Sequence, residues 1–126
     1  MSALGAMPPL NDYSLCRQTV TVYHHGPDGI TRTVHDRAYM ERTKSEEVTR
    51  TGSSERNGFL LVIPGDAQAC RVGDKVLEGD GPEVPTSDAD AWWRSFIPAK
   101  VDGLVVVRHV SVGRWDGRIV HTEAGA

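Results

Sequence analysis

The sequence has little of what usually reveals a chemical function. It has two cysteines, Cys16 and Cys70, which are too far apart in sequence for a zinc knuckle or a CxxC redox pair. We therefore predict reduced thiols. The 14 basic and 17 acidic side chains leave a formal charge of -3, which is not the basic balance of a dedicated nucleic-acid binder.

Long apolar runs are absent as well. No stretch approaches the roughly 20 residues needed to span a bilayer. The opening MSALGAMPPLNDYS lacks the basic-then-apolar layout of a signal peptide. We expect a soluble protein made in a cytoplasm.

The length predicts one domain. A chain of 126 residues with 39% hydrophobic content can build one modest core. Residues 1–11 are small, proline-bearing and aperiodic, so we expect a flexible arm over 1–15 and a single domain over 16–126.

Strand patterns dominate the first half of the chain. Val20 and Val22 alternate with polar residues in TVTVYHH, as in a half-buried strand. The GPDG turn at 26–29 then predicts a returning strand that runs to Thr43. The polar segment 44–57 reads as a mobile loop or an extended hairpin. FLLVIP from Phe59 is typical of a strand buried on both faces.

The second half adds shorter elements. We predict a strand over Lys75–Glu78 and one helix over about Asp88–Phe96 with Ser87 as its N-cap. The end of the chain predicts a long strand, a turn and a last strand, at Leu104–Val112, Asp116–Gly117 and Arg118–Thr122. This order favours a mainly β fold, a small barrel or sandwich of five to six strands with one short helix and a long polar loop.

Histidines are the best candidates for chemistry, because imidazole binds metal and moves protons near neutral pH. Adjacent His24 and His25 point to opposite faces of a strand, so at most one of them could join His109 or His121 at a metal. The fifth histidine is His35. We interpret all of them as exposed or hydrogen-bonded strand residues.

The remaining motifs do not predict catalysis. The carboxylates of turns could do acid–base work or bind a hard cation, but acidic residues are common there for backbone reasons; these are Asp66, Asp74, Glu78 and Asp80. The sequence has no GxSxG elbow and no phosphate-binding loop. We predict no enzyme, no catalytic residue, no metal and no cofactor.

Two regions instead suggest contacts with a partner. Trp92 and Phe96 share one face of the helix, so Trp93 either makes a second contact or meets another protein. The polar segment has mixed charge, typical of a solvated surface or a subunit-contacting loop. The partner-contact candidates are Trp93, Arg50, Arg56, Glu46 and Glu47.

Short motifs resemble one family. TVTVYHH, NGFLLVIPGD and VGDKVLEGDG, followed by a valine-rich strand, a turn and His121, resemble small neck proteins of tailed bacteriophages, the head-completion, head-closure or head–tail connector subunits. The segment between Pro85 and Pro98 does not fit that pattern, which leaves the neck position open.

The resemblance implies a β-barrel subunit without catalytic residues. Such a subunit forms a homo-oligomeric ring in the virion neck, between portal or adaptor proteins and tail-completion or tail-tube proteins, with DNA passing non-specifically through the lumen. A tail-terminator or tail-tube subunit is an alternative, and so is a small metal-dependent or ligand-binding barrel that uses His109, His121 and a turn carboxylate. In the connector interpretation, segment 44–57 gates the lumen or pairs with a neighbour's sheet edge.

Overall fold

The computed structural model describes residues 13–49 and 52–126, with the backbone alone for 43–49 and 52–57. This part of the chain contains seven strands and one short helix. They are β1 (Gln18–Gly26), β2 (Gly29–Thr49), β3 (Gly52–Pro64), β4 (Lys75–Glu78), α1 (Ala89–Ser95), β5 (Val105–Val106), β6 (His109–Trp115) and β7 (Arg118–Gly125).

The strands form one antiparallel sheet in the order β5-β4-β1-β2-β3-β7-β6, curled into a half-barrel. β2 belongs to both halves: its first part pairs with β1, and its part from Tyr39 onward pairs with β3. The change follows a register shift opposite Gln18 and Val20. Such bulges bend a strand and increase its twist, so this bulge lets one strand join the two halves.

The concave side of the curl holds the main core. Val20 and Val22 of β1 and Leu61 of β3 face one another there and are almost fully buried. Side chains from β2, β4, β5 and β7 complete the cluster, among them Ala38, Met40, Val76, Val105 and Ala124. Alternation along each strand places these residues on one face, so the barrel-like fold predicted from the sequence is confirmed.

A second cluster covers the convex side of β1. Tyr23 is fully buried against Leu104 and against Phe96, the residue that caps the end of α1. Trp92 stacks on Phe96 with ring centroids 4.5 Å apart, which confirms the predicted aromatic face of the helix. The Tyr23 hydroxyl donates to the carbonyl of Pro82, so the chain after β4 is tied to the same strand.

Most element predictions are confirmed, and β4 has the predicted bounds. The helix is confirmed, but its predicted cap is wrong: Asp88, in the left-handed region at φ 54, is the N-cap and makes no side-chain capping bond. The predicted strand Leu104–Val112 is interrupted at residues 107 and 108. There the Val107 N–H donates to the Asp74 carbonyl, and the Arg108 N–H donates to the Gly125 carbonyl. The chain crosses at this point from one half of the sheet to the other.

The remaining differences concern exposure and length. The described residues contain one strand more than the largest number predicted. Residues 59–63 of β3 are buried on both faces, as predicted, except at Leu60, which is 40% exposed. For 44–57 the structure has the extended hairpin, the second of the two predicted alternatives, as far as the described backbone shows. The predicted arm over 1–15 lies mostly outside the described residues.

Candidate functional site

The most unusual feature of the backbone is a long two-stranded ribbon at the ends of β2 and β3. Its pairs run from Thr43 with Gly58 to Thr49 with Gly52. β1 pairs with β2 only as far as Ala38, and β7 pairs with β3 only from Leu60. Within the described residues no third strand flanks the ribbon, which extends roughly 23 Å at about 3.3 Å per residue.

The ribbon contains most of the predicted partner-contact residues. Glu46 and Glu47 lie in β2, and Arg56 lies in β3 opposite Ser45. Arg50 lies outside the described residues. The backbone therefore brings three of the five candidates onto one projecting element, apart from Trp93.

Trp93 makes a second contact within the chain. Lys75 Nζ lies 4.0 Å from the centroid of its ring and donates to the Trp93 carbonyl at 2.6 Å. The ring of His25 lies 5.4 Å from the same indole. Of the two predicted roles for Trp93, the internal contact is present, and the indole remains partly exposed beside it.

Lys75 is a buried cation that sequence reasoning missed. Its residue is 7% exposed, and burial lowers the pKa of its ammonium group. Trp93 belongs to the last turn of α1, where the helix dipole places negative charge. The lysine therefore joins β4 to the end of the helix. The pattern KVLE gave no signal of this, because only the tertiary fold places a carbonyl there.

His121 is the centre of a three-residue network on the convex side of β7. Its Nε2 lies 2.8 Å from Glu123 Oε2, and its Nδ1 lies 2.8 Å from the Tyr13 hydroxyl. An ionised carboxylate only accepts, so Nε2 carries the proton and Nδ1 accepts from Tyr13. Burial raises the pKa of Tyr13, which keeps this hydroxyl protonated.

His109, the other histidine considered as a metal ligand, packs against a glycine of the neighbouring strand. The ring of His109 packs over Gly125, where an added Cβ would lie 2.6 Å from its Cε1. His121 packs over Gly113 in the same way. Among the described residues, no group of three or more histidine, cysteine, aspartate or glutamate side chains could hold a metal ion.

His24 forms a dyad with Asp74, which sequence reasoning placed at a solvated turn. Asp74 is 3% exposed, with Oδ1 at 2.6 Å from His24 Nδ1 and Oδ2 accepting from the Arg71 amide at 2.9 Å. The solvated-turn interpretation is wrong for Asp74, because the 71–74 turn folds against β1. His25 meets Asp90 at 3.2 Å, so the adjacent histidines point to opposite faces as predicted.

The other turn carboxylates do not converge. Asp80 pairs with Arg32, which also donates to the Gly81 carbonyl at 2.6 Å. Glu78 accepts from the Gln18 amide at 3.2 Å. Asp66 is exposed at the end of β3. These three carboxylates therefore do not form a paired-carboxylate site.

Both thiols are free and buried. Burial raises the pKa of Cys70 to about 12, with a smaller contribution from Asp74. Burial also raises the pKa of Cys16. Neither thiol is a nucleophile near neutral pH.

The comparisons with known proteins add no relative. No protein-family model, no curated protein and no solved structure matches the chain. Among the described residues, no helix has the length and apolar character that crossing a membrane requires.

Proposed function

We propose that this chain is a structural subunit of a tailed-phage neck, which forms a homo-oligomeric ring that joins or closes the head–tail interface. The observation that carries this proposal is the ribbon at residues 43–49 and 52–58. It extends beyond the core of a small barrel-like sheet and has no flanking strand among the described residues.

A free ribbon of this kind contributes little to the stability of its own domain. Isolated two-stranded hairpins are marginally stable in water. The sequence of 44–57 has a single large apolar residue, Val48, so it brings little hydrophobic surface to a core. Such an element fits a role in contact with a neighbour, through its backbone edges or its charged side chains.

The sheet also offers acceptor edges for such contacts. β6 is an edge strand of the described sheet, and it pairs with β7 alone. Edge strands present unpaired backbone groups that a strand from another chain can extend. Repeated head-to-tail contact between a ribbon and a sheet edge closes a ring when the rotation per subunit divides the circle.

The charge of the chain is compatible with a DNA channel. A net charge of -3 gives no strong attraction for the phosphate backbone, so DNA could pass without being held. The portal or adaptor on the head side and tail-completion or tail-tube proteins on the tail side are the proposed neighbours. A tail-terminator or tail-tube position would use the same ring contacts.

Electron microscopy tests the proposal directly. Virions of a phage or prophage that encodes this chain should show a ring of half-barrels at the capsid–tail junction, with ribbons directed to the lumen or to the next subunit. A ring farther down the tail would support the tail-side alternative instead. Absence of the chain from purified virions would overturn the proposal.

A further inference from the structure

The proposed ring contacts leave a polar cleft unused on the concave side of the sheet. Two cavities of about 200 and 360 Å³ adjoin there and share Thr33, Gln68 and Ala69 in their linings. The larger is within the range of small-ligand pockets, roughly 300–1,000 Å³. Strands β1 and β2 form the floor of the cleft, and residues 65–71 form its wall.

The strand register explains why polar groups line this part of the concave face. Thr31 pairs with His24, Thr33 with Val22, and His35 with Val20. Paired residues of antiparallel strands share a face, and Val20 and Val22 belong to the concave core. The threonines and histidines therefore lie on the same face of β1 and β2 as the core valines. They occupy the part of that face that the strands β3 and β7 do not cover.

The hydrogen-bond pattern makes this cleft rich in acceptors. The Asp74 carboxylate pairs with His24 Nδ1 at 2.6 Å in the lining of the smaller cavity. The side-chain N–H₂ of Gln68 donates to the Cys70 carbonyl at 3.1 Å, which leaves the side-chain oxygen as an acceptor. Asp66 adds an exposed carboxylate to the lining of the larger cavity.

His35 adds a shielded polar atom to the same cleft. Its Nε2 has no hydrogen-bond partner among the described residues, and the residue lines the larger cavity. Arg71 is the single cation in the linings of these cavities, and it is exposed.

We propose that the cleft binds the guanidinium group of an arginine residue on a partner protein. A guanidinium is planar and has five N–H donors and no acceptor, which complements a lining of amide, hydroxyl and carboxylate acceptors. Asp66 and Asp74 supply the negative charge that a cation needs. This inference does not depend on the neck role, because it rests on the concave face and not on the ribbon.

The test is a titration of the full chain followed by ¹⁵N NMR of its histidine side chains. The probe is Nα-acetyl-L-argininamide, and the matched control is the neutral isostere Nα-acetyl-L-citrullinamide. The expected result is a saturable shift of the His24 and His35 signals by the arginine probe, with His25 and His109 unchanged. Equal responses to both probes, or no response in the millimolar range, would overturn the proposal.

Variants at the rim of the cleft locate the site. Asp66→Asn removes an exposed carboxylate and should weaken binding by about two- to fivefold, as for loss of one exposed ion pair. Arg71→Ala removes the competing cation and should strengthen binding. Asp28→Asn, in the β1–β2 turn outside the cleft, is the control and should leave affinity unchanged. If Asp66→Asn and Arg71→Ala both bind with the affinity of the parent, as the control does, the probe binds elsewhere and the assignment is refuted.

Discussion

The ring of His121 lies directly over Gly113 on the neighbouring strand, where an added Cβ would come within 2.1 Å of the His121 Cε1 atom. The two residues are paired in the β6–β7 register. His121 is 5% exposed and is held by Tyr13 and Glu123, so it has little freedom to move away. Gly113 is therefore required for space and not for its backbone angle.

Gly113→Ala should destabilise the fold by about 1–3 kcal/mol, the usual cost of overpacking. Urea unfolding followed by tryptophan fluorescence measures the change. In the His121→Ala background the same substitution should cost much less, because the ring is gone. Equal costs in both backgrounds would show that the clash is not the cause.

Tyr13 contributes one hydrogen bond that reaches across the chain to His121. Tyr13→Phe removes the hydroxyl and keeps the ring, which packs edge-on against the imidazole at 5.6 Å between centroids. We expect a loss of about 0.5–1.5 kcal/mol, the net value of one hydrogen bond. Tyr39→Phe is a matched control, since its hydroxyl donates to the exposed Glu41 two residues away. A similar loss in both variants would contradict a specific role of Tyr13.

Lys75 should stabilise the junction between β4 and α1. Lys75→Met keeps the aliphatic stem but loses the bond to the Trp93 carbonyl and the contact with its ring. These two losses together should lower the free energy of unfolding by about 1–3 kcal/mol. Thermal unfolding measures this, and Lys100→Met on the exposed turn after α1 is the control. No difference between the two variants would refute the junction role.

His35 should make stability depend on pH. Burial lowers the pKa of its imidazole below the ordinary value of 6.5, while the nearby Asp36 acts in the opposite direction. The unfolded chain then binds the proton more readily than the folded one, so stability falls as pH drops below about 6.5, by at most 1.4 kcal/mol per unit of pKa difference. His35→Gln should flatten this part of the curve of unfolding free energy against pH. An unchanged slope would exclude His35 as its source.

The ribbon should be dispensable for folding. The main core draws on β2 up to Met40 and on β3 from Phe59, so replacing residues 44–57 by Asn-Gly should leave the described core intact. The expected result is an unchanged tryptophan fluorescence spectrum and the loss of ring assembly with the proposed neck neighbours. A variant that still assembles into rings would separate assembly from the ribbon, while loss of folding would show that the ribbon belongs to the core.

The sequence alone predicted the features that arise from local chemistry. Period-two alternation identified β1, glycine turns delimited β4 and marked the hairpins, and the helix was found from its acidic start and the following proline. The Asp116–Gly117 turn is of this kind, with both residues at positive φ as a tight hairpin requires. Each of these signals acts within a few neighbouring residues, so no knowledge of the fold is needed to read it.

Tertiary structure decided what depends on residues distant in sequence. Only the curl of the sheet buries Asp74 beside His24, brings Lys75 to the end of α1, and lines the cleft with Thr31 and Thr33. The interruption of the predicted strand Leu104–Val112 has the same origin, since the Val107 N–H donates to the Asp74 carbonyl. Alternation indicates which side chains share a face, but the elements that cover that face are set by the packing of the whole chain.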